Sequence, residues 1–233
     1  MMDYSMSRGK EPSTVRKVKD GRIQDLKVVK PIVYGSRSHA LPQGTMVSDH
    51  THAWKLYVKP YYDEDISLYV RKVTFKLHDS YAQPTRVITN PPYEINETGW
   101  GEFEAVIRLF FADSAERSVN IYHVIRLFNN EPDVIAGRKP LIAECYDELI
   151  FWQPSVSMYD ALRKSDETAK GIGVHAVNYE EKQKEYLEKI RAARATVKAE
   201  IDSMKKSLVQ IRDATDNARK ASKQMVVIKN ETL

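Results

Sequence analysis

The sequence predicts an all-β sandwich of immunoglobulin-like type followed by one long helix. From Ile23 to Gln153 the apolar residues come in short alternating runs broken by turn residues, with no sustained helical period. Seven or eight such runs fall within about 130 residues, the density expected of two packed antiparallel sheets. Beyond Gly173 the chain holds neither Gly nor Pro, and apolar residues recur there at steps of three and four.

Lys27 to Tyr34 reads as one strand and Ala53 to Val58 as the next. In Val70 to His78, Val73, Phe75 and Leu77 share one face while Lys72, Thr74, Lys76 and His78 share the other, which predicts a half-buried strand. Arg86 to Thr89 is a short further run. Glu102 to Phe111 sets Phe103, Ala105, Ile107, Leu109 and Phe111 against Glu104 and Arg108, and Val106 and Phe110 predict partial cover of the second side as well. Val119 to Phe128 and Leu141 to Phe151 complete the set, with Pro91-Pro92 and Asn129-Asn130 as breakers. Residues 1–21 are expected to form a flexible basic tail and residues 22–164 the β-domain, ending in a short helix at Val156 to Lys164. A linker, Ser165 to Val177, leads to one helix over residues 178–229. The seam of that helix is Tyr186, Ile190, Val197, Ile201, Met204, Leu208 and Ile211, continuing through Ser222 and Met225. An extra four-residue step between Val197 and Ile201 is a stutter that locally unwinds a left-handed supercoil. A lone solvated helix of this length is hard to stabilise, so a coiled coil with a partner helix is expected.

A chain of 233 residues with 42% apolar content can bury a core, which excludes disorder throughout. No apolar run reaches the roughly 18 residues of a membrane span, and Met1 to Lys30 lacks the apolar block of a signal peptide, so neither membrane insertion nor secretion is expected. The single cysteine, Cys145, fits a reducing compartment and reads as plain core. The net charge of +4 is unevenly spread. Residues 1–30 carry eight basic and four acidic side chains, residues 178–233 carry thirteen and nine, and the middle carries 15 and 19. A mildly acidic body suits a basic peptide better than a nucleic acid, which is left at most weak contact with the basic termini.

The chemistry-bearing residues gather in FKLHDSY, Phe75 to Tyr81, and ETGWGEF, Glu97 to Phe103. His78 and Ser80 share a side, Tyr81 follows in the turn, and Gly99 and Gly101 flank Trp100 so that backbone can approach a ligand closely. Tyr81 and Trp100 either wall a slot for something flat or cap the open end of the core; the residues alone leave both open. His78 and Ser80 resemble a base and a nucleophile, but no acidic orienter and no oxyanion-hole motif accompany them, which argues against an enzyme. His50 and His52 lack a third clustered ligand, and Asp63 and Asp65 lack the further oxygens and the glycine of a calcium loop, so no metal is expected. No dinucleotide or phosphate-loop fingerprint occurs, and no cofactor is expected.

Taken in order, KPIVYG (Lys30 to Gly35), THAWKLYVKP (Thr51 to Pro60), FKLHDSY, NPPYEINETGWGEF (Asn90 to Phe103) and YDELIF (Tyr146 to Phe151) resemble the YEATS domain family. With a C-terminal coiled coil the chain is similar to its Yaf9 and GAS-type subfamily. The resemblance covers about residues 22 to 229. It implies an immunoglobulin-like fold and the reading of acylated lysine, acetyl or crotonyl, on histone tails. It maps the pocket onto His78, Ser80, Tyr81, Gly99, Trp100, Gly101 and Phe103, with His50 at the rim. Ser36 to Asp49, expected to be a loop, does not match and leaves peptide contacts there undefined. The resemblance further implies a nuclear subunit of a chromatin remodelling or histone acetyltransferase complex, joined through the C-terminal helix to another subunit or to a second copy.

The expected chemistry follows from the ligand. Acylation turns an ammonium into a flat neutral amide that can lie between Tyr81 and Trp100 without the cost of desolvating a charge. Ser80 is expected to hydrogen-bond the amide carbonyl, and the Trp100 N–H to be a second donor. A methyl-lysine cage, in which aromatics surround a retained cation, is the competing binding mode. A purely structural β-domain beside an active coiled coil is the other alternative.

Overall fold

The computed structural model describes residues 17–42 and 49–231, with side chains of the last helix described to Ala221. The chain divides into two compact units, Met1–Val177 and Asn178–Leu233. In the first, a small hairpin of β1 (Val18–Lys19) and β2 (Arg22–Ile23) precedes two four-stranded antiparallel sheets. One sheet is ordered β10 (Leu141–Trp152), β3 (Lys27–Ala40), β4 (His52–Pro60), β7 (Tyr93–Gly99). The other is ordered β6 (Thr85–Ile88), β5 (Val70–Lys76), β8 (Phe103–Phe111), β9 (Val119–Ile125).

Alternation along the strands makes the core. Trp54, Leu56 and Val58 of β4 point inward against Val73 and Phe75 of β5 and Ala105, Ile107 and Leu109 of β8, all buried. A short helix, α1 (Pro132–Ile135), lies in the β9–β10 connection, and α2 (Val156–Thr168) follows β10. Ser155 caps α2 by accepting the Met158 N–H at 3.0 Å, and Met158 and Leu162, one turn apart, bury its apolar face. Lys30 of β3 is buried, with its Nζ 2.8 Å from Glu64 and 2.5 Å from Asp166 of α2, while Tyr69 donates to Glu64 at 3.0 Å. The buried cation is held by one carboxylate of the β-domain and one of α2, and this shared pairing fixes where α2 docks.

Several expectations change. No strand is expected between Thr89 and Glu102, where Pro91-Pro92 is a breaker, yet Tyr93–Gly99 forms the edge strand β7, with Tyr93 and Ile95 buried and Glu94 and Asn96 facing out. Ser36 to Ala40 extends β3 instead of opening a loop; residues 43–48 lie outside the described residues, as do residues 1–16 of the expected tail. Ser165 to Val177 is no free linker. Ser165 is buried, the Gly173 N–H donates to the Tyr61 carbonyl at 2.9 Å, and the His175 ring stacks on Tyr61 at 4.9 Å. The Ala176 and Val177 N–H groups then donate to Glu144 at 3.1 and 3.2 Å, strapping the segment to the sheet. Cys145 is exposed rather than core, because β10 is an edge strand and the second sheet does not cover it there.

The second unit is α3 (Tyr179–Glu231), started by Asn178, whose Oδ1 accepts the Glu181 N–H at 3.2 Å. The seam residues Tyr186, Ile190, Val197, Ile201, Met204, Leu208 and Ile211 are all exposed; Ser222 and Met225 lie beyond the described side chains. No helix among the described residues is long and apolar enough to cross a membrane.

Candidate functional site

β5 delivers the chain into the turn His78 to Tyr81, and β7 delivers it into Trp100 and Gly101 before β8 begins, so both segments meet at one end of the sandwich. Their meeting depends on a glycine. A Cβ on Gly99 would lie 2.6 Å from Tyr81 Oη and 3.3 Å from Trp54 Nε1, so the bare backbone makes room for the tyrosine rather than for a ligand. Tyr81 then donates to the Thr98 carbonyl at 3.1 Å. Its ring stands edge-on to Trp54 at 5.9 Å and 5.6 Å from Phe103, and Trp54 meets Phe103 at 5.8 Å. Burial raises the Tyr81 pKa, while the nearby Trp54 N–H, outside hydrogen-bonding geometry, acts in the opposite direction.

His78 and Ser80 are paired. The Ser80 N–H lies 3.2 Å from His78 Nδ1 and its hydroxyl 2.9 Å from the same atom. An N–H can only donate, so Nδ1 is the acceptor and the imidazole proton sits on Nε2. The hydroxyl proton is therefore also directed at Nδ1, and the Ser80 oxygen keeps its lone pairs for another donor.

Trp100 differs from Tyr81. It is 67% exposed and makes no ring contact among the described residues, whereas Tyr81 packs on the core. Gly101 has open space where its Cβ would be. His50 is tied in through Thr98, whose hydroxyl lies 2.7 Å from His50 Nδ1, and the Thr51 N–H donates to the Gly99 carbonyl at 3.1 Å. His52 turns elsewhere, bonding Thr51 Oγ1 at 2.8 Å and meeting Phe128 edge-on at 5.0 Å, so the two histidines do not converge.

Two residues of this site escape the sequence reading. Trp54 is buried beneath the turn, and Thr98 joins His50 to Tyr81. The alternation of THAWKLYV marks Trp54 as inward-facing, but nothing in a strand pattern tells which core residue lies under a loop. Glu102 is a further anchor, accepting the Leu127 and Phe128 N–H groups at 2.9 and 3.1 Å and pairing with Arg126 at 2.9 Å. Burial pushes its carboxyl up, but these bonds hold it below the usual range. A separate cleft of about 710 Å³ lies on the outer face of the first sheet, lined by three cations and five carboxylates, several of them paired with one another. Lys55 pairs with Glu94 at 2.7 Å and Lys59 with Glu144 at 3.3 Å.

The YEATS family model matches residues 49–129. The Protein AF-9 homolog of Saccharomyces cerevisiae is 31% identical over 207 residues, covering 80% of this chain and 92% of that protein. The Protein AF-9 homolog of Emericella nidulans is 37% identical over 149 residues, 60% of this chain, but the match spans only about half of that protein, 54%. A crystal structure of the Yaf9 YEATS domain bound to H3K27ac superposes with a TM-score of 0.54 at 35% identity, covering 61% of this chain and 98% of that one. The two-sheet domain and its long C-terminal helix are a YEATS fold of the Yaf9 and AF-9 type, and the chain belongs to the YEATS family.

Proposed function

We propose that this chain reads acylated lysine, acetyl or crotonyl, on histone tails, and that it does so in the nucleus as a subunit of a chromatin remodelling or histone acetyltransferase complex. The observation that carries the reading is Trp100, an aromatic ring 67% exposed on a turn whose neighbour is the fixed, half-buried Tyr81. The relative bound to H3K27ac supplies the ligand class. A flat amide enters between a rigid wall, Tyr81 on Trp54 and Phe103, and an adjustable one, Trp100. The geometry favours a changed role for Ser80. With its proton directed at His78, the oxygen accepts the amide N–H, and the Trp100 backbone N–H is left for the carbonyl. His78 orients Ser80, and His50 holds the β7 end of the rim through Thr98.

Two stacking contacts and two hydrogen bonds of about 1 kcal/mol each offset only part of the association cost, so a single site binds at roughly 10–500 µM. The chain acts as a binder in this reading, as does the relative bound to H3K27ac. An acidic wall would favour a methyl-lysine cage, and His78, Ser80 and the glycines stand between the aromatics instead. Titrating the full chain with unmodified, acetylated, crotonylated and trimethylated lysine peptides tests the reading. Saturable binding of the neutral acyl peptides alone is expected; equal binding of the unmodified peptide, or a preference for the trimethylated one, would refute it.

A further inference from the structure

The outer face of the second sheet contributes nothing to the site above, and it is not the polar exterior that a sandwich ordinarily turns to water. The alternation of β8 points Val106 and Phe110 outward, where the sequence predicts partial cover. Val106 stands opposite Tyr122 of β9, and Val124 follows Tyr122 on the same side of that strand. Tyr122 is 60% exposed and Val124 36%, so the described chain leaves this apolar group open to water.

Cations border it. Lys76 of β5 faces Val106 from the other flank, and Arg108 is the next outward residue along β8. Lys72 Nζ stands 4.6 Å from the centre of the Phe110 ring and Arg108 Cζ 5.0 Å from it, so two positive charges share one ring. Arg108 Nε donates to the Ser118 hydroxyl at 3.0 Å, which orients the guanidinium without neutralising it. Lys72, Lys76 and Arg108 form no ion pair among the described residues. Against these three cations the four strands of the sheet hold one carboxylate, Glu104.

The face also limits what can sit on it. Strand backbones bond within the plane of the sheet, so a ligand above that plane meets side chains only and must satisfy its own main chain, as a helix does. Four strands spaced about 4.8 Å apart make a surface about 14 Å wide, enough for one helix of about 10–12 Å diameter. A second copy's α3 has the wrong sign, since residues 178–233 carry thirteen basic and nine acidic side chains. Nucleic acid would meet the apolar group and Glu104 where its phosphates need cations.

We propose that the outer face of the second sheet docks an acidic amphipathic helix of a partner protein. Its apolar stripe lies on Val106, Tyr122 and Val124, and its flanking carboxylates meet Lys72, Lys76 and Arg108. The surface is separate from the acyl-lysine site and does not rest on that reading.

The test is methyl NMR on the full chain with a synthetic Glu-Leu-Glu-Ala-Leu-Glu-Ala repeat peptide. The controls are the same peptide with Lys for Glu, and one with Pro for Ala, which cannot form the helix. The expected result is saturable shifts of the Val106 and Val124 methyls with the acidic helical peptide alone, and roughly tenfold weaker binding by Lys72→Glu with Arg108→Glu, at unchanged acetyl-lysine affinity. Tyr122→Ser is expected to weaken binding as well. If the reversed variant melts early, Lys72→Gln with Arg108→Gln replaces it and is expected to act in the same direction. Equal binding by parent and charge variant, or shifts confined to α3, overturns the proposal. So do shifts of these methyls that a DNA duplex produces at lower concentration than the peptide, or that grow with protein concentration alone, as for a second copy.

Discussion

Tyr81 occupies the space that a side chain on Gly99 would take, its hydroxyl lying 2.6 Å from where a Cβ would stand. Gly99→Ala must therefore push Tyr81 off the Thr98 carbonyl and tilt one wall of the slot. A loss of acetyl-lysine affinity of roughly tenfold or more is expected, with β7 still paired to β4. Peptide titration alongside circular dichroism checks it; an alanine variant that binds like the parent would show that Tyr81 has room to spare.

Trp100 and Tyr81 should separate binding from stability. Trp100→Ala removes an exposed ring and is expected to leave the melting temperature within a degree or so while abolishing measurable peptide binding. Tyr81→Ala removes a ring packed on Trp54 and Phe103 together with its bond to Thr98, and is expected to cost about 2 kcal/mol of stability as well. Chemical denaturation measures the difference. Equal stability loss in both variants would contradict the asymmetry of the two walls.

Ser80→Ala takes away the oxygen proposed to accept the amide N–H. Every acyl-lysine shares that amide, so acetyl and crotonyl peptides should weaken together by about 1 kcal/mol, with their ratio unchanged. Isothermal titration with both peptides gives the answer. A variant that loses one acyl group and keeps the other would assign Ser80 to the acyl chain.

The alternation of Val73, Phe75 and Leu77, and of the apolar residues from Phe103 to Phe111, made the sandwich legible because a half-buried strand has only one way to hide them. β7 was not legible, since an edge strand with Glu94 and Asn96 outward has the composition of a turn. His78, Ser80, Tyr81, Gly99 and Trp100 could be named from the two motifs and the family resemblance. Trp54 and Thr98 could not, because they act through contacts between strands distant in sequence. The segment from Ser165 to Val177 misled because its glycines suggest slack, whereas Glu144 and Tyr61, far earlier in the chain, hold it down.

Acid should weaken the fold through His123. This residue is 6% exposed, its Nε2 lies 2.9 Å from Ser36 Oγ, and burial, helped by Arg126, lowers its pKa to about 4. An unfolded histidine takes its proton near 6.5, so between these values the unfolded chain binds more protons than the folded one. Stability is therefore fully present above about pH 6.5 and falls by about 3 kcal/mol as pH drops toward 4. Thermal melts across that range should decline in the parent and decline less in His123→Gln. A parallel decline in both would assign the acid sensitivity to other groups.

The apolar seam of α3 leaves Leu208 and Ile211 exposed at 68% and 64%, and since a lone solvated helix of this length is hard to stabilise, we propose a facing partner helix. Asp at both positions places charge in the seam and should release the helix from its partner, while monovalent acetyl-lysine affinity, set by Trp100 and Tyr81, stays the same. A weak reader gains most from pairing, since two linked sites experience an effective concentration near millimolar when the connection spans the target. The strap bonds the chain to the β-domain as far as Val177, so Ser165 to Val177 supplies no slack, and the gain should fall below that of a freely tethered pair. Sedimentation of the parent and the double variant, with binding to peptides carrying one and two acetyl-lysines, resolves these effects. A parent that sediments as a monomer at every concentration reserves the helix for a different subunit. A double variant that still joins the proposed chromatin complex would mean that the seam is not the contact at all.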